Sequence, residues 1–147
     1  MAYSGRYPVK NSSKYKGDPT RVVYRSLWER QVFKFLDLNP DVVQWSSEEI
    51  VIPYICQTDG KPHRYFVDLM VTLKNGETYL IEIKPKSQTI PPQKSTRKTK
   101  KYITEVLTYV KNESKWTAAK EYCRDRGYCF QIWTEETIKG LGIKLLT

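Results

Sequence analysis

Two apolar runs, RYFVDLMVTL at residues 64–73 and ETYLIEIK at residues 77–84, flank Asn75-Gly76. Asn-Gly between β-branched and aromatic runs is the strongest short-range hairpin signal a sequence carries. The second run is apolar except for Glu82 and Lys84. Strand alternation puts Leu80, Glu82 and Lys84 on one face and Tyr79, Ile81 and Ile83 on the other. A carboxylate and an amine therefore share a side with a core leucine. The first run carries Asp68 between Val67 and Leu69. A hairpin closing on Asn75-Gly76 sets Asp68 opposite about residue 83, at the same end as Glu82 and Lys84 but facing away from them. A convergent site then requires a bulge or a slip of register.

The remaining elements fit around this hairpin. Ser26 followed by Glu29 three residues later matches a capping box, and Leu27, Val32, Phe33, Phe35, Leu36 and Leu38 give the helix after it a broad apolar face. That helix ends near Asn39, before Pro40. Residues 49–56 form a strand which Pro53 places near an edge or bulge, followed by a turn at Asp59-Gly60. Residues 97–111, with Tyr102, Val106 and Tyr109 at helical spacing, predict one helix. Residues 115–126 predict another, capped by Gly127. YCFQIWT (residues 128–134) alternates as a strand, and Thr134 caps a short last helix with Glu135 and Glu136 in its first turn. Its capping box is incomplete, because the third position is Thr137. The order helix, three strands, two helices, strand, helix is that of an α/β domain with a mixed β-sheet flanked by helices. Residues 1–147 are expected to form a single domain. In it, residues 1–20 form an extended basic arm and residues 85–96 a Pro-rich basic loop.

Hydrophobic residues make up 39% of the chain and aromatics 13%, too much for a disordered polymer. No run approaches a membrane span and the first residues carry no signal-peptide core, so the expectation is a soluble intracellular protein with no membrane partner. Cys56, Cys123 and Cys129 are odd in number with no CxxC pair, which predicts buried free thiols rather than a disulfide framework or a zinc ribbon. His63 is the single histidine, which excludes chemistry needing two.

The charge of +9 is concentrated. Residues 1–25 hold six cations against Asp18, a net +5, and residues 84–101 hold seven with no acid, so the rest of the chain nets −3. Such confinement predicts a polyanion-binding surface. The second segment leaves the end of the hairpin and is kept open by Pro85, Pro91 and Pro92. Lys86, Lys94, Arg97, Lys98, Lys100 and Lys101 there, with Arg25 and Arg64, are the candidate contacts to double-stranded DNA. Each phosphate neutralised steepens the log–log salt dependence by about 0.9 on duplex DNA. No helix for reading bases is evident, so little sequence specificity is expected.

If Asp68 and Glu82 converge, they repel unless a cation holds them. A hard divalent ion, Mg²⁺ with Mn²⁺ as an alternative, suits carboxylate oxygens and the Ile83 carbonyl. Such an ion activates water and neutralises charge on a phosphate. Lys84 could orient or deprotonate that water, or stabilise the transition state. This is the constellation of metal-assisted phosphodiester hydrolysis.

Asp68, thirteen residues, then Glu82-Ile83-Lys84 resembles the PD-(D/E)xK nuclease superfamily, with Val67 where the motif has proline. The runs MAYSG, KYKGDP, YRSLWER, VIPY, RYFVDL, IEIKPK and the following PP are similar to the head-completion nucleases of T-even-type tailed phages. Those in turn are similar to TnsA-type transposition endonucleases. The resemblance implies a restriction-endonuclease-like core and a catalytic set of Glu29, Asp68, Glu82 and Lys84. It implies that Glu29 joins Asp68, Glu82 and Ile83 around the metal. It also implies action on packaged DNA, phage head or portal proteins as partners, and a location in the host cytoplasm and the virion. Two other readings remain: a virion component that binds DNA without cutting it, and a junction-resolving or restriction-type nuclease. Simpler roles are expected for other residues: core packing for Trp28, Trp45, Trp116 and Trp133, core or surface for Glu105 and Tyr109, and an exposed hairpin end for His63.

Overall fold

The hairpin register organises the molecule. The computed structural model describes residues 4–94 and 97–145. In chain order its elements are β1 (Gly5–Arg6), β2 (Val23–Tyr24), α1 (Leu27–Leu38), β3 (Val42–Ser47), β4 (Val51–Ile55), β5 (Pro62–Phe66), β6 (Leu69–Leu73), β7 (Thr78–Ile83), α2 (Lys100–Arg126), β8 (Cys129–Trp133) and α3 (Glu135–Gly140). Four strands form a mixed sheet in the order β3-β6-β7-β8. β6 is antiparallel to β3 and β7, and β7 is parallel to β8. A parallel pair requires a crossover, which α2 supplies. β4 and β5 form a separate antiparallel hairpin, as do β1 and β2.

The β6–β7 turn differs from the expectation in a way that matters. Leu73 N–H bonds the Glu77 carbonyl and Gly76 N–H bonds the Leu73 carbonyl, both at 2.9 Å, so the loop holds three residues rather than two. Gly76 sits at φ 89°, the left-handed position such a loop needs. Leu69 consequently pairs with Ile81, and Met70 with Leu80. The next position outward sets Asp68 across from Glu82, not from Ile83. A one-residue change of register reverses the face. RYFVDLMVTL is also not one strand, because it breaks at Val67-Asp68, where β5 leaves its pairing with β4 and β6 takes up pairing with β3.

The sheet separates two apolar clusters. On one face Val32, Phe33 and Leu36 of α1 and Ile138 of α3 pack on Trp45, Leu69, Val71 and Ile81. On the other, Trp116, Ala119 and Cys123 of α2 and Ile52, Tyr54 and Tyr65 of the β4–β5 hairpin pack on Met70 and Leu80. Trp45 and Trp116 are buried, and Trp28 and Trp133 pack partly buried against the first cluster. Cys56 and Cys123 are buried, whereas Cys129, expected inside, is exposed. α1 starts at Ser26, whose hydroxyl accepts the Glu29 N–H at 3.2 Å.

Three further expectations need correction. Residues 42–47 are the sheet's first strand, which the sequence reading omits. The two expected helices over 97–126 are one, α2. No proline or glycine interrupts residues 112–114, and the Ser114 hydroxyl folds back onto the Val110 carbonyl at 3.0 Å without breaking the helix. The capping box of α3 is completed by Thr137, whose hydroxyl accepts the Thr134 N–H at 3.3 Å.

The described part of the N-terminal segment is not an extended arm. Tyr7 and Tyr15 are buried beside Trp45, with ring centroids 6.2 and 4.9 Å from it. Asp37, fully buried near the end of α1, accepts bonds from the Tyr7 hydroxyl and from the N–H groups of Lys10 and Asn11. Lys14 Nζ donates to the carbonyls of Leu36, Asp37 and Asn39 at 2.8–2.9 Å, placing a cation on the negative end of α1. Residues 1–3 of that segment and 95–96 of the Pro-rich loop lie outside the described residues.

Candidate active site

The site lies where β5 and β6 part. Asp68 stands at that break, half-buried, with its Oδ2 accepting the Ile83 N–H at 2.8 Å. Glu82, in β7, is 4% exposed. Its Oε2 accepts the Tyr65 hydroxyl at 2.8 Å, and its Oε1 lies 3.5 Å from Lys84 Nζ. The ladder that buries Met70 and Leu80 under α2 therefore carries Asp68 and Glu82 to the same face. β3 and β4 diverge at the same place. Glu48 there has φ 55°, an uncommon backbone for a non-glycine residue, costing about 1–2 kcal/mol. Its N–H bonds the Asp68 carbonyl at 3.2 Å, and its side chain grips Arg25 through two bonds of 2.8 and 3.1 Å. The strain thus sits at the edge of the acidic site, where strained residues tend to collect.

The electrostatics are those of crowded acids. Burial, then the charges of Glu82 and Glu29, hold the Asp68 carboxyl well above the usual carboxylate range, against the Ile83 N–H that favours its ionised form. Burial pushes Glu29 up to about 7, with the charges of Glu48 and Glu82 adding to it and Arg25 opposing. Burial and the Glu82 charge raise the Tyr65 phenol, so it remains a hydrogen-bond donor at any working pH. Burial lowers the Lys115 amine, with Lys111 and Lys84 reinforcing this and Glu82 and Asp68 resisting. Lys115 reaches in from α2, its Nζ 5.6 Å from the centre of the Tyr65 ring.

Asp68, Glu82, Lys84 and Ile83 thus come together. Glu29 is coupled to them by charge, yet no tight three-carboxylate group forms among the described residues. Its Oε2 turns to the Arg25 N–H at 3.5 Å rather than to its own cap residue. The donor set at the centre is all oxygen. Each carboxylate keeps lone pairs beyond those bonded to Tyr65 and Ile83, and the raised pKa of Asp68 beside the Glu82 charge marks a place that a hard cation would relieve. The residues fit Mg²⁺ or Mn²⁺.

The candidate DNA contacts are scattered more widely. Lys94, Arg97, Lys98, Lys100 and Lys101 are exposed on the segment entering α2 and on its first turn. Lys86 pairs with Glu136 at 3.1 Å. Arg64 is exposed on β5, alternating with buried Tyr65, and lies over the Phe66 ring at 5.5 Å. Tyr65, Glu48 and Lys115 are site residues the sequence reading does not single out. Lys115 had a signal, because it sits between Asn112 and Ala119 on the buried side of α2.

A family model described as TnsA-like endonuclease N terminal matches residues 39–135. The head completion nuclease of Enterobacteria phage T4 is 45% identical to this chain over 148 aligned residues, covering 98% of this chain and 99% of that protein. The chain belongs to the head completion nuclease family. Its mixed α/β architecture is restriction-endonuclease-like, as expected of the TnsA-like endonucleases. The TnsA-like match takes in Asp68, Glu82, Lys84 and Lys115 of this head completion nuclease family member and starts after α1, which carries Glu29. Among the described residues no helix is long and apolar enough to cross a membrane.

Proposed function

We propose that the protein is a metal-dependent endonuclease that hydrolyses phosphodiester bonds of double-stranded DNA. We further propose that it acts on packaged phage DNA as the head is completed, in the host cytoplasm and at the virion, beside head or portal proteins. The observation that carries the chemistry is Asp68 set across from buried Glu82 with Lys84 Nζ at 3.5 Å. The kinship to a protein named head completion nuclease supports the biology.

Asp68 and Glu82 would hold the cation with the Ile83 carbonyl, and Glu29 would assist from α1. Bound there, Mg²⁺ supplies Lewis acidity to the scissile phosphate and lowers the pKa of water. Tyr65 fixes the Glu82 carboxylate through its 2.8 Å bond to Oε2, while Oε1 lies beside Lys84 Nζ and would face the ligand. The Lys84 ammonium faces the same opening, orients the attacking water, and offsets negative charge growing on the phosphate. Lys115 adds a second amine from α2. The exposed cations at 94–101 hold the duplex by its backbone. Cleavage of linear and supercoiled duplex DNA with Mg²⁺, Mn²⁺ or EDTA tests this reading. It requires cutting with either ion and none with chelator. Binding without cutting under both ions would favour a DNA-binding head component instead.

A further inference from the structure

A second group of ligating side chains lies at the other end of the β4–β5 hairpin. Cys56 follows β4, Asp59 lies in the turn, and His63 is the second residue of β5. The turn is closed by the backbone. Cys56 N–H bonds the Lys61 carbonyl at 3.0 Å, and Gly60, at φ 67°, sends its N–H to the Cys56 carbonyl at 2.7 Å. Asp59 Oδ1 accepts the Lys61 N–H at 2.9 Å, which fixes the aspartate over the turn. One ligand atom from each of Cys56, Asp59 and His63 lies within 4.8 Å of the other two. His63 Nε2 is 2.8 Å from Asp59 Oδ2, and Cys56 Sγ is 3.0 Å from the Thr58 hydroxyl. The Tyr54 ring lies beside the imidazole, with centroids 5.7 Å apart.

In a tetrahedral zinc site, ligand atoms about 2.0–2.3 Å from the ion are about 3.3–3.8 Å from one another. Side-chain shifts of about 1 Å therefore close this group around an ion with the backbone unmoved. We propose that the turn is a zinc site, with Cys56, Asp59 and His63 as three ligands and water in the fourth position. Thiolate and imidazole select Zn²⁺ over the Mg²⁺ expected at the carboxylate site. The ion would fasten the tip of the hairpin whose other end presents Tyr65 to Glu82. This inference does not depend on the nuclease reading.

The test is titration of the purified, chelator-treated full chain with Co²⁺ and then Zn²⁺. The expected result is a thiolate-to-cobalt charge-transfer band that saturates at one thiolate-bound cobalt per chain and is lost when zinc displaces cobalt. Cys56→Ser should abolish the band. His63→Ala and Asp59→Asn, both on the partly exposed side of the turn, should each weaken affinity at least about tenfold, while Asp68→Asn leaves it unchanged. No charge-transfer band in folded wild type would overturn the proposal. So would uptake that survives His63→Ala but is lost in Asp68→Asn.

Discussion

Two groups of ionisable side chains hang on one hairpin, and they are built on different principles. At the open end, Asp68 and Glu82 offer only oxygen, and burial together with the Glu82 charge raises the Asp68 pKa. At the turn end, sulfur and oxygen from the six-residue loop 56–61 and the imidazole nitrogen of His63 at the start of β5 lie together, with Asp59 and His63 partly exposed. The first group repels itself and is held in place by the sheet register, the Ile83 N–H and the Tyr65 hydroxyl. The second already satisfies itself through the His63–Asp59 pair. Crowding of like charge is what separates them. The core imposes an unfavourable arrangement at one end, and such frustrated carboxylates are where catalysis is to be sought. The loop merely permits the other.

Substitutions at the two ends should differ in size of effect. Outside the carboxylate pair, the largest effect is expected at Lys84→Ala, which should cut turnover on duplex DNA by about 10²–10³-fold with DNA binding retained in gel shift. Tyr65→Phe comes next. It removes the donor that positions buried Glu82, and should cost about 1.5–3 kcal/mol in urea unfolding because the bond goes to a charged group. It should also reduce turnover more than it raises KM.

Glu29→Gln should sharpen the electrostatic side. Folding raises the Glu29 pKa from 4.5 to about 7, so the metal-free folded state binds more protons than the unfolded chain between those values. Stability then falls as pH rises through that window. By calorimetry without metal, Glu29→Gln should match wild type near pH 4 and exceed it near pH 8, with the gap opening between 4.5 and about 7. Mg²⁺ should narrow it. The smallest effect is expected at the turn. Without zinc, His63→Ala removes a partly exposed hydrogen bond to Asp59 and should change stability little.

Much of this was legible in the chain, and the gaps have physical causes. The capping role of Ser26, the glycine stop at Gly127 and the alternation that puts Leu80, Glu82 and Lys84 on one side are local properties, and each was readable. The register was not. Asn75-Gly76 signals a turn, yet whether two or three residues close it depends on Leu73 bonding Glu77, a contact between strands. That single residue moves Asp68 from the wrong face to the face of Glu82. The break at Val67-Asp68 was hidden for a similar reason, because it arises when one strand exchanges β4 for β3 as partner. Residues 4–22 carry no period because their order comes from Asp37 and Trp45, distant in sequence. Glu48 had no local mark at all, being drawn to the site by the divergence of β3 and β4.

In the proposed mechanism Asp68 and Glu82 act together through one bound cation. The direct measurement is Mg²⁺-dependent cleavage of supercoiled duplex DNA by wild type, Asp68→Asn and Glu82→Gln, with Mg²⁺ binding followed by calorimetry on the same samples. Each substitution should remove both cleavage and Mg²⁺ binding while the fold and DNA affinity persist. Cleavage by either variant at the wild-type rate, in protein shown to be free of contaminating nuclease, would contradict it.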